Sequence, residues 1–476
     1  MKQFFLLLLF SFSISTQAQT PCVGNTADGF PCDGYLLQSN LPLTTFSASS
    51  GNDSWGWTDP SDGKEYVLMG LNNGTAFIDI SDPVNPVYLG KLPTHSFDSQ
   101  WRDVKVYNNH AFIVSEADNH GMQVFDLTRL RTVVNPPVVF TEDGHYDGFL
   151  RAHNVVINEA EAYAYGVGTQ TFSGGPHFVD ISDPTNPVAA GGFSGYGYSH
   201  DAQVVTYNGP DTDYAGREIY VGSNEDEVAI VDVTDKNNPV AIASIGYSNI
   251  GYTHQGWFTE DQRYFIVGDE LDELFFGFMT RIIIMDFTDL DNPQLHFEYT
   301  GTTQASDHNL YVLGDTMYLA NYRGGMRVYD ISDIENQNII ETGYFDTYPP
   351  NDNAGASVGD PGAWNVYPYF QSSNLIVTNY SDNGGMFVVR DESILSVNES
   401  AALSATIFPN PTTDAFSIRL DAMPITKVVV YDLFGKVLYE NDQINAASYT
   451  VDIASFASGI YMVRINDTIS AKISKQ

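Results

Sequence analysis

Four histidines, His153, His200, His254 and His308, recur at intervals of roughly fifty residues. Each opens the same strand of a repeated unit, and Ser54, Arg102 and Trp364 hold that place in other units. Equivalent positions of radially repeated units surround one axis, so these side chains are expected together at one mouth of a channel. Glu116, Asp269, Asn321 and Asn379 end the strand that returns to the same face, and Glu225, Asp226, Glu270, Asp272 and Glu273 lie in nearby loops. Neutral imidazoles beside carboxylates are what borderline divalent metals prefer, and carboxylates behind the rings would orient them. The predicted metal set is His153, His200, His254, His308, Glu116 and Asp269, for one divalent ion such as Zn, Fe, Mn or Cu. Arg102, Asn321, Asn379 and Trp364 are the predicted ligand contacts. Arg102 either holds an anionic group of a ligand or neutralises Glu116. The same column has a structural explanation too, because a histidine repeated between units can simply bond a neighbouring aspartate. His120, His145 and His177 have no repeated counterpart and read as surface or packing residues. With no GxSxG, HExxH, Walker or dinucleotide fingerprint, no catalytic residue is assigned.

The elements that would position these residues are repeats. Six segments share a strand ending in Asp, a turn and a second apolar run, among them FIDISDPVNPVYLG, FVDISDPTNPVAAG and IVDVTDKNNPVAIA. Their aspartates are Asp79, Asp126, Asp180, Asp232, Asp286 and Asp330; a seventh segment, GGMFVVRDES, has Arg390 in that place. Asp caps the turn by accepting backbone amides, and Pro presets the next strand, so the motif needs only a structural cause. Upstream of each lies a strand pair such as RDVKVYNNHAFIVSE. Four strands per repeat of roughly fifty residues predict an all-β, seven-bladed β-propeller, with the run after Asn-Pro as each outer strand. The seventh unit lacks that strand, and Leu36 to Phe46, which has no unit of its own, is predicted to supply it.

Composition narrows the partners. A net charge of −38, from 59 acidic and 21 basic residues, repels phosphate backbones and excludes nucleic acid. Lys2 followed by the apolar run Phe4 to Phe12 and by Thr16-Gln17-Ala18 predicts a signal peptide over 1–18. No other stretch reaches transmembrane length. Cys22 and Cys32, the two cysteines of the chain, are expected to pair in an oxidising compartment. Two thiols alone are a poor metal site. Residues 19–50 thus form a Cys loop and closing strand, 51–393 the propeller and 394–405 a small polar linker. Residues 406–476 read as a small C-terminal β-sandwich of short alternating strands.

Two resemblances follow from particular motifs. FPNPTTD, VYDLFGKVL, SGIYMVRI and the terminal AKISKQ, in this order over Thr406 to Gln476, resemble the type A sorting domain of type IX secretion. That resemblance implies the secretion machinery as a partner and passage through the periplasm to the outer-membrane surface or the medium. NDSWGWTDPSDGKEYVLMGLNNGTAFIDISDP, GYTHQGWFTEDQRYFIVGDELDE and SDHNLYVLGDTMYLANYRGG are similar to the choice-of-anchor B family. Its members carry LVIVD-type repeats joined to differing surface anchors; the match runs from the mature N-terminus to about Asp391 and assigns no catalytic residue. The functional expectation is a monomeric, exported binding scaffold for an extracellular ligand or protein. The alternative is a metal-dependent exported enzyme working at the histidine column. The DELDELFFGF and GYGYSH segments are candidate mobile loops beside that site, the first oddly apolar.

Overall fold

The computed structural model describes residues 19–349, 361–380 and 384–394, then 406–420, 424–431, 436–446, 448–466 and 469–476. The predicted signal peptide and nearly all of the predicted linker lie outside the described residues. The chain forms two compact units, Met1–Glu392 and Ser393–Gln476.

In the first unit the strands Gly51–Thr58, Arg102–Tyr107, Asn154–Asn158, Asp201–Thr206, Thr253–Phe258, Leu310–Leu313 and Ala363–Tyr367 each begin one sheet. Each packs beside the next, and Ala363–Tyr367 packs beside Gly51–Thr58, so the innermost strands close a ring. Strand sequences such as EYVLMGL and RIIIMD are apolar at nearly every position because both faces of each sheet are covered. Val67 and Met69 pack with Ile376 and Val388 of the last sheet. Leu68 and Phe77, pointing the other way, pack with Val104 and Ile113 of the second. Alternate residues of Tyr264–Asp269 divide in the same manner, Ile266 facing Leu319 and Val267 facing Val221. The period of two therefore glues neighbouring sheets together.

All six repeat aspartates do the work their turns require. Asp79, Asp126, Asp180, Asp232, Asp286 and Asp330 each accept the backbone amide two residues on, at 2.8 to 3.0 Å. Tyr35–Pro42 pairs antiparallel with Gly385–Asp391 as the outermost strand of the last sheet. The Cys22–Cys32 disulfide holds the loop before it. The second repeat departs from the expected plan. Its run after Asn-Pro, Val138–Val139, pairs in parallel with Val87–Pro93 of the first sheet. Gly144–Tyr146 is the outer strand instead. The cause is the 3-10 helix Leu127–Thr132, capped by Asp126, which carries the chain out to the neighbouring sheet before it returns.

The second unit has a three-stranded and a four-stranded sheet. Phe416, Ile418 and Val451 of one share a core with Val428, Val430 and Val463 of the other. Lys475 is nearly buried and donates to the carbonyls of Ile453, Ala454 and Phe456 at 2.6 to 2.7 Å.

Candidate functional site

The innermost strands bring the four histidines together at one end of the ring. Successive ring centroids His153–His200, His200–His254 and His254–His308 are 4.1, 4.3 and 4.2 Å apart, and Trp364 continues the series 4.2 Å from His308. Their planes are tilted by 44° to 48°. Each tilt accompanies the step from one sheet to its neighbour in the ring.

The backbone fixes the ring orientations. His200 Nδ1 donates to the carbonyl of His254 at 3.1 Å, and His308 Nδ1 to that of Trp364 at 2.6 Å. A carbonyl only accepts, so in both rings Nδ1 carries the proton and Nε2 keeps its lone pair. His153 Nδ1 pairs with Glu116 at 2.7 Å. His254 differs from the others. Only 1% exposed, it has no partner for Nδ1 among the described residues. Its Nε2 is 3.7 Å from Glu270, too far for a hydrogen bond. Glu270 accepts from the Tyr322 hydroxyl at 2.6 Å. One ligand atom each from His254, Glu270 and His308 lie within 4.8 Å of one another.

Burial holds His308 down to about 3 and, aided by neighbouring imidazoles, holds His200 and His254 well below the usual histidine value. Burial works against the charge on His153 as well, but the Glu116 carboxylate outweighs it and raises the value. The column is thus three neutral imidazoles ending in one ion-paired ring. Neutral imidazoles can ligate a metal or accept hydrogen bonds from a ligand.

The other predicted residues do not converge on these rings. Asp269 is fully buried and clamps a loop, accepting the amides of Gly251 and Tyr252 and the Tyr247 hydroxyl at 2.6 to 2.9 Å. Asn321 holds Thr303, Thr280 and Ala305, and Asn379 holds Thr347, both buried. Arg102 meets neither an anion site nor Glu116. Its guanidinium is spent on the Leu71 carbonyl, the Thr94 hydroxyl and the His120 ring, between 2.8 and 2.9 Å away. Ser54 receives the Asn365 amide, and the Trp364 indole donates to Asp53 at 3.0 Å. In the DELDELFFGF segment Asp272–Phe276 forms one helical turn; Asp272 pairs with Arg281 at 2.5 Å while Phe275 and Phe276 are exposed.

Sequence reasoning missed the interior and far end of the same axis. The residue after each column position is polar in six sheets: Asp103, Asn154, Asp201, Gln255, Asn309 and Asn365. All six are buried, and Asn309 donates to both Asp53 and Asn365. Lys105 donates to Asp103 at 2.7 Å. Burial pushes Asp53 and Asp201 up to about 7. Toward the opposite end lies a cavity of about 150 Å³, lined in part by Trp55, Lys105, Asp201, Gln203, Trp257 and Tyr311. A polar residue recurring inside otherwise apolar strands was the signal for the interior layer. The aromatic residues share one equivalent position of their sheets, paired with Leu68, Ile266 and Tyr318, which sequence reasoning did not single out.

Comparison with known proteins matches the second unit and one repeat of the first. Residues 406–476 match the secretion system C-terminal sorting domain, and residues 161–194 match the LVIVD repeat. Ulvan lyase NLR42 of Nonlabens ulvanivorans is 27% identical over 97 residues, 20% of this chain and 18% of the lyase. An endo-acting ulvan lyase of Formosa agariphila is 29% identical over 106 residues, 22% of this chain and 20% of that enzyme. The chain therefore spans only about a fifth of these relatives' lengths. Among solved structures, PorZ, a surface component of the type-IX secretion system of Porphyromonas gingivalis, is similar with a TM-score of 0.47 and 12% identity, covering 95% of this chain and 62% of PorZ. Among the described residues no helix is long and apolar enough to cross a membrane. The chain is a cargo of the type IX secretion system, exported to the cell surface or the extracellular space by its C-terminal sorting domain and carrying an LVIVD repeat.

Proposed function

We propose that the first unit is a seven-bladed β-propeller of the choice-of-anchor B type, working outside the cell as a binding scaffold whose histidine mouth holds a divalent cation. On this reading 1–18 is removed, 19–50 closes the ring, 394–405 is a linker and the sorting domain at 406–476 is a β-sandwich. The closed order of innermost strands supports the ring, since closure removes open sheet edges.

The observation that carries the cation is His254. Its buried Nδ1 has no partner among the described residues, at a cost of about 1–3 kcal/mol, and its Nε2 faces Glu270 without a hydrogen bond. An ion shared by His254, His308 and Glu270 would take two nitrogens and one oxygen, a set suited to zinc or a similar borderline metal. His200 and His153 would then complete the wall that a ligand meets. Metal content of the purified mature chain, beside a His254→Ala/His308→Ala variant, tests this. Near-stoichiometric metal in the parent, lost in a folded variant, is the expected result. No binding of Zn, Fe, Mn or Cu by the parent would contradict it and make the column structural.

The second reading, a metal-dependent exported enzyme, is favoured by His153 and Glu116. A proton-holding imidazole–carboxylate pair at the end of a row of metal-type ligands is a general acid–base arrangement.

A further inference from the structure

At the opposite end of the axis, we propose a second binding site, for a sugar ring of a neutral glycan chain, walled by Trp55, Trp257 and Tyr311. The innermost strands run away from the histidine mouth. Lys105 is the fourth residue of Arg102–Tyr107 and Trp257 the fifth of Thr253–Phe258, so this cavity opens on the other face. Buried bonds from Asn309 to Asp53 and Asn365 link three successive sheets between the two ends.

The walls have a specific chemistry. Tyr311 meets Trp257 at 5.0 Å and Trp55 at 5.9 Å, both at 69°, so the rings stand as separate walls and do not stack into a filled slab. Neither indole N–H and not the Tyr311 hydroxyl finds an acceptor among the described residues, yet none is sealed from the cavity. Gln203 spends its oxygen on the Phe258 amide, which leaves its NH2 as a further donor. Asp201 spends one oxygen on the Ala202 amide and lines the cavity, an acceptor among these donors.

These groups select among ligand classes. An anion would meet Asp201 and a chain of net charge −38. An alkylammonium would compete with Lys105, whose Nζ already lies 4.8 Å over the Trp55 ring. A wholly apolar ligand would bury the indole and phenol donors unpaired. A sugar satisfies all of them, since each hydroxyl both donates and accepts while the apolar ring face packs on an aromatic wall. A second hollow of about 310 Å³ shares Trp55, Gln203 and Trp257 and adds Tyr369, giving a polymer room to continue.

The test is affinity electrophoresis of the mature full-length chain in gels containing laminarin, mannan, xylan or, as the anionic comparison, alginate. Tryptophan fluorescence titration with the corresponding oligosaccharides accompanies it. Retardation by at least one neutral glycan is expected, weakened at least tenfold in Trp257→Ala with an unchanged unfolding temperature and preserved in His254→Ala. No retardation or fluorescence change with any neutral glycan would overturn the proposal. So would neutral-glycan binding that Trp257→Ala leaves intact, or retardation by alginate alone. Loss in His254→Ala would also overturn it, by assigning the binding to the histidine mouth.

Discussion

The two ends of the ring axis use the same repeat in different ways. At one end a single residue type recurs in four successive sheets, and the repeat itself stacks the rings at 4.1 to 4.3 Å. At the other, Trp55, Trp257 and Tyr311 stand at the equivalent point of three sheets, paired with Leu68, Ile266 and Tyr318, but Lys105 and Gln203 hold that point in two further sheets, so the residue type varies. Between them runs a buried polar layer in which Lys105 offsets Asp53, Asp103 and Asp201. A repeat fold can thus fill one ring position with a single residue type and another with varied ones, with a charged layer between the two.

The largest expected effect falls on that layer. Lys105→Met leaves Asp103 without its cation and should cost about 3–5 kcal/mol of unfolding free energy near pH 8, measured by denaturant titration. The loss should shrink at pH 5, where the neighbouring acids take up protons. A loss equal at both pH values would mean that Lys105 contributes packing alone.

Next comes the pH dependence of the parent. The folded values of Asp53 and Asp201 are raised from 3.8 to about 7, so the fold binds their protons more tightly than the unfolded chain does. Their contribution is complete below about pH 4 and is lost as pH rises through 7. Calorimetry should therefore show Asp201→Asn gaining on the parent between pH 5 and 8. A constant difference across that range would remove Asp201 from the linkage.

His153 behaves as the mouth requires and has the same sign. Its raised value means that the ion pair with Glu116 stabilises the fold at acid pH and fades as pH rises through the folded His153 value. NMR titration should find the His153 value lowered in Glu116→Gln, while His308 stays neutral to about pH 3 in both proteins. The smallest effect belongs to the turns. Asp180→Ala should cost about 1 kcal/mol, because it removes the bond to the Ser182 amide and nothing central.

The legible part of this molecule is the part that repeats. Six aspartates accepting the amide two residues on could be read from the motif alone, and so could the histidine column. Arg102 occupied a column position but turned aside, because the Leu71 carbonyl, Thr94 and His120 offered each nitrogen of its guanidinium a partner. Asp269 sat at a plausible ligand position, yet two backbone amides of the preceding loop claimed its carboxylate first. Val138–Val139 kept the expected sequence and changed partner, since a 3-10 helix displaced it. Such outcomes depend on competition between local bonds, which spacing does not encode.

The central claim is that His254, Glu270 and His308 hold one cation. X-ray absorption on the zinc-loaded mature chain tests it most directly. The account predicts two imidazole nitrogens and a carboxylate oxygen at about 2.0–2.2 Å, with the imidazole scattering lost in His254→Ala/His308→Ala. Zinc surrounded only by oxygen ligands, or an identical spectrum in that variant, would contradict it.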